Sequence, residues 1–175
     1  MIKWFFLFLF LPTLALAQVE TSQDFDVSLT PVVQNAAYSS GNAIGGLQTI
    51  TPFRTVNPTG ILNNISVWSK GGSTTAITFY IFKANPSAST CIDKTAFVLG
   101  TADISKLVVT IPPVLTPAIV GVGTTATAAS QQSPISVRNR DSPSTNQLYI
   151  CPVYGGTVTP ASVSDLVFSY AGVRD

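Results

Sequence analysis

Cys91 and Cys151 are the residues of this chain whose type and spacing say most about chemistry. Neither belongs to a CxxC pair, and the chain contains no histidine, so the usual zinc-ligand patterns are missing. In an oxidising compartment an even cysteine count predicts a disulfide. Closing a loop of about sixty residues would stabilise the fold by roughly 4 kcal/mol on the chain-entropy argument. The competing reading is two buried free thiols.

The missing histidine removes the commonest general base and rules out Ser-His-Asp and Cys-His nucleophile sites. Carboxylates are what remain for acid-base work. Asp93 and Asp103 could form such a pair, although loop and helix capping explain them more simply. Asp24 and Asp26 could bind calcium, but their alternation with Phe25 and Val27 fits a solvated strand face better. Gly41, Gly45 and Gly46 form neither a dinucleotide fingerprint nor a P-loop, and read as a turn. No residue is assigned a catalytic, cofactor-binding or metal-binding role. Trp68, Tyr80 and Tyr154 could build an aromatic platform for a sugar ring or a partner; packing in the core or between subunits is the alternative. Asn64-Ile65-Ser66 has the form of an N-glycosylation acceptor.

The elements that must position these residues show period-two alternation and little helical periodicity. Residues 25–29, 47–53, 61–70, 75–83, 106–111, 135–138, 147–154 and 162–172 read as strands. Ile61, Ile65 and Val67 are expected on one face of their strand, with Asn63 interrupting that face and Trp68 on the polar one. Gly71-Gly72-Ser73 predicts a turn that makes residues 61–83 a β-hairpin. Its second strand, with Ile77, Phe79, Tyr80, Ile81 and Phe82, is apolar on both faces and so belongs between two layers. Pro112-Pro113 is expected to stop one strand, and Pro152 to mark an edge or bulge in another. Residues 96–106 could hold a short helical turn, and 113–133 read as a long low-charge excursion. About eight strands at this spacing predict an all-β, single-domain sandwich of jelly-roll-like form.

Compartment follows from the first seventeen residues. Lys3, the apolar run 4–11 and Ala15-Leu16-Ala17 have the layout of a secretory signal peptide, and the run is too short for a stable membrane anchor. The expected organisation is a signal peptide at 1–17, an N-terminal arm with an edge strand at 18–35, and the sandwich at 36–175. Cleavage would leave a mature chain of zero formal charge, destined for the periplasm or the cell exterior. Only 10% of residues are charged, against about 25% in typical domains, so the polar surface falls to Ser, Thr, Asn and Gln. Without a field of one sign, a nucleic-acid partner is not expected. A surface with little charge repulsion instead suits an assembly or self-association.

The segments Tyr38-Ser39-Ser40-Gly41-Asn42-Ala43-Ile44-Gly45-Gly46, Thr59-Gly60-Ile61-Leu62, Ile65-Ser66-Val67-Trp68-Ser69-Lys70 and Ile77-Thr78-Phe79-Tyr80-Ile81-Phe82-Lys83-Ala84-Asn85-Pro86-Ser87-Ala88-Ser89-Thr90 carry a resemblance, as do Leu148-Tyr149 and Thr159-Pro160-Ala161-Ser162-Val163-Ser164-Asp165-Leu166. Together they resemble a family of small virion-associated proteins of tailed phages and prophages, some of capsid-decoration or accessory-head type. Here the family's pattern is joined to an added signal segment, and Cys91-Ile92-Asp93-Lys94 replaces the Asp-Asn that usually follows the loop. The resemblance implies a structural or binding role without an active site. The alternative expectation is a secreted carbohydrate-binding or adhesion module.

Overall fold

The structure, a computed structural model, describes residues 23–54, 59–114, 127–138 and 146–174. The signal-peptide reading therefore lies outside the described residues. Among those described, eight strands form two antiparallel four-stranded sheets: β1 (Gln23–Leu29), β2 (Gln48–Ile50), β3 (Thr59–Ser69), β4 (Ile77–Phe82), β5 (Leu107–Val114), β6 (Thr127–Arg138), β7 (Leu148–Tyr154) and β8 (Leu166–Arg174). The first sheet has the order β1-β8-β3-β6, and the second β2-β7-β4-β5. The alternation expected for β8 is met: Leu166, Phe168 and Tyr170 all point into the core. Their counterparts on the second sheet are Ile77, Phe79, Ile81, Leu148 and Ile150. Phe79 joins the layers, edge-on to Phe168 at 5.3 Å and to Tyr170 at 6.2 Å.

The pairing is nested. β1 pairs with β8, β2 with β7, β3 with β6 and β4 with β5, the four rungs of one long folded ribbon. The contacts β3·β8 and β4·β7 then roll the ribbon closed.

Residues 61–83 do not form a hairpin, because β3 and β4 lie in different sheets. The turn residues are present, but the buried Asp165 carboxylate takes the Gly71 N–H and accepts from the Ser69 hydroxyl at 3.3 Å. A Cβ at Gly71 would lie 2.6 Å from the Cβ of Ala161. The chain is thus clamped to the loop before β8 and arches across to the other layer. The expected faces of β3 also change. Its register slips between Leu62 and Asn64, so Leu62 rather than Ile61 joins Ile65 and Val67 inside, while Ile61 is exposed. One bulged residue reverses the phase of every side chain before it.

Three further boundaries are corrected. The strand expected at 47–53 is short, Gln48–Ile50. Residues 127–133 belong to β6 rather than to an excursion; 115–126 lie outside the described residues. Pro112-Pro113 does not stop β5. These prolines fall where its register against β4 shifts, on the open edge of the second sheet, so no ladder donor is lost. Pro152 marks neither an edge strand nor a bulge: β7 is interior and its register against β4 is unbroken there, but β2 ends beside Ile150, and the Pro152 carbonyl accepts from Ile44 N–H at 2.9 Å.

The apolar outer face of β4 is explained by the connection at 83–106, which folds back over the second sheet and contains a 3₁₀ turn (Thr101–Lys106). Phe97, Leu99, Leu107 and Cys91 pack there on Tyr80, Phe82, Cys151 and Val153. This layer acts as a roof. No helix among the described residues is long and apolar enough to cross a membrane.

Candidate interaction surface

Cys91 and Cys151 form a disulfide, with their Cα atoms 6.0 Å apart. Cys151 lies on the outer face of β7 and Cys91 in the roof, so the bond staples the roof to the sheet. A disulfide of this kind belongs to an oxidising environment.

Asp93 and Asp103, considered above as a catalytic pair, instead anchor two separate parts of the roof. The Asp93 carboxylate accepts from the Tyr38 hydroxyl at 2.8 Å and from Gly45 N–H at 2.6 Å. Tyr38 Oη in turn accepts from Gln34 N–H at 2.8 Å. One carboxylate therefore ties the N-terminal segment, the 41–46 turn and the roof together. Burial, with the Asp93 hydrogen bond adding to it, raises the Tyr38 pKa, so its phenol stays a donor. Gly41, Gly45 and Gly46 all have positive φ, as a turn requires.

Asp103 is fully buried; it accepts from Ala88 N–H and Ser89 Oγ at 2.8 Å each and pairs with Lys106 at 2.7 Å. Desolvation, the largest influence, raises its pKa, but the hydrogen bonds from Lys106, Ser89 and Ala88 together hold it below the ordinary value of 3.8. A depressed folded pKa stabilises fully above the unfolded value, and the contribution disappears as pH falls through the folded one. The urea midpoint of Asp103→Asn should therefore lie below that of wild type at neutral pH. The gap should close as pH falls below 3.8. A gap independent of pH would contradict this anchoring role.

The three aromatic candidates are not brought together. Tyr154 is buried, edge-on to Tyr38 at 5.3 Å. Tyr80 lies under the roof, 4.3 Å from Phe97 between ring centres. Only Trp68 is open, 49% exposed on the outer face of the first sheet. Asp24 and Asp26 are exposed on that same face, where Asp26 accepts from Ser169 Oγ at 2.8 Å. This fits the solvated-face reading; among the described residues no group of three or more His, Cys, Asp or Glu could hold a metal. Asn64 is half-buried, and its Nδ2 donates to Ser66 Oγ at 3.0 Å.

Strand register resolves this face into rows. Asp26, Ala171 and Asn64 lie side by side; Ser28, Ser169 and Ser66 form the next row; Val167 and Trp68 form the third. Below the first row is a shallow depression of about 470 Å³ lined by Asp24, Phe25, Asp26, Asn63, Ala171 and Gly172. Sequence reading missed Asn63, Ala171 and Gly172 because the bulge that gathers them leaves no compositional mark. It also missed Tyr38 and Asp165, whose roles depend on partners distant in sequence. No protein-family model matches this chain, and neither does any curated protein.

Proposed function

We propose that this protein is an exported, non-enzymatic contact protein that decorates a larger assembly, a virion or a cell surface. The observation that carries the reading is the unequal treatment of the two sheets. The second sheet is roofed and covalently stapled by a layer that itself exposes Ile92, Val98 and Ile104, whereas the first presents Trp68 and Ile61 on an outer face that, among the described residues, packs into neither apolar cluster. These two apolar side chains stand near opposite ends of β3 with Asn64 and Ser66 between them, so the face offers two apolar anchors around a polar strip. The nested ribbon supports the jelly-roll reading, an architecture shared by capsid and lectin domains. The basic, apolar and small-residue pattern of 1–17 supports secretion, as does the disulfide. The phage-virion resemblance supports the choice of assembly, and near-neutral charge supports a protein partner over nucleic acid. Carbohydrate binding is the second reading, favoured by Trp68 standing among serine hydroxyls.

The test is co-sedimentation of the purified mature protein with phage particles and with host envelope. Recovery in either pellet at saturable stoichiometry is expected. A protein that stays in the supernatant with both, as monomer or as a self-associated species, would overturn the decoration reading.

A further inference from the structure

We infer that the open face of the first sheet binds a short oligosaccharide, with one ring in the depression beside Asp24 and Asp26 and another against Trp68. The inference rests on the carbohydrate reading of that face, and it names the ligand length and the residues that would hold it.

The depression has the chemistry of a polyol site. The carboxylates of Asp24 and Asp26 offer acceptor oxygens, and adjacent sugar hydroxyls present the paired donors that a carboxylate can take together. The Asn63 carboxamide offers both donors and an acceptor. Ala171 and Gly172 keep the floor low. A larger residue cannot replace Gly172, because its Cβ would run into the Ile61 carbonyl oxygen and the Phe25 ring.

The rows then set ligand length. Trp68 is four residues along β3 from Asn64, roughly 13 Å at the rise of a strand. That distance exceeds one sugar ring. The row between them carries Ser28, Ser66 and Ser169; Ser169 already donates to Asp26 and Ser66 accepts from Asn64, so the Ser66 proton and the Ser169 lone pairs are what these two can offer a chain lying across. An indole face packs on the C–H face of a pyranose while its surroundings stay wet, which suits a side chain half exposed rather than buried.

The experiment is a glycan array with the mature protein, followed by calorimetric titration of cello-, chito-, malto- and galacto-oligosaccharides of graded length. For the class that binds, affinity should rise from monosaccharide to short oligosaccharide. Trp68→Ala should lose about tenfold, with the loss confined to the longer ligands. Asp26→Asn combined with Asn63→Ala should weaken all lengths. These positions are exposed, so thermal melts should match wild type and exclude misfolding. No binding on the array or in titration, or binding unaffected by both sets of substitutions, would overturn the inference. Retained co-sedimentation by a protein that binds no glycan would leave the decoration reading standing. Glycan binding without co-sedimentation would remove that reading and leave the site.

Discussion

Replacing Cys91 and Cys151 together with alanine is expected to lower unfolding stability by about 4 kcal/mol. The bond spans 60 residues, and a loop of that length loses that much entropy in the unfolded chain when closed. For a domain of this size the midpoint should fall by on the order of 10 °C. The structure adds a spatial expectation. Both sulfurs sit in the apolar layer between roof and sheet, which also holds Phe82, Val153, Tyr80 and Phe97. Without the bond, the roof depends on that layer and on its Asp93 and Asp103 anchors. Limited proteolysis should then cut first within residues 83–106, while β3 and β8 remain protected. Reductant should reproduce the effect in wild type and add nothing to the double variant. Equal stability of the two proteins, or first cleavage outside the roof, would show that the bond does not hold this layer.

How much of this was legible in the sequence differs from element to element. β8 could be read from side-chain alternation because Leu166, Phe168 and Tyr170 obey one phase from end to end. The disulfide could be read because two cysteines outside any CxxC pair, in a chain without histidine, have few other uses. β3 could not be read correctly, since its phase changes at Asn63 and alternation carries no record of an inserted residue. The supposed hairpin failed for a related reason. Gly71-Gly72-Ser73 permits a tight turn within one sheet and an arch between sheets equally well. The choice is made by Asp165, 94 positions later. The interaction surface suffers the same loss: Asp26, Ala171 and Asn64 are one row in space and three unrelated positions in sequence. Side-chain type alone suggested that Trp68, Tyr80 and Tyr154 belonged together, whereas strand register sends them to an open face, a roofed face and the core.

Phe79→Ala should have the second large effect, a loss of about 3–5 kcal/mol. Phe79 is fully buried and is the ring through which β4 meets both Phe168 and Tyr170 of the opposite layer. Truncation removes its own transfer energy and two edge-to-face contacts, and leaves a cavity between sheets that strand pairing keeps from collapsing. The cost should therefore lie at the upper end of that range, and Phe79→Leu should cost distinctly less because it refills most of the volume. Chemical denaturation of both variants, with the disulfide intact, measures the difference. The two losses in this Discussion should also add. The disulfide layer and the inter-sheet core lie on opposite faces of the second sheet and belong to separate apolar clusters, and independent sites contribute additively. A combined variant much more or less stable than the sum would mean that roof and core form one cooperative layer, with the second sheet transmitting strain between them.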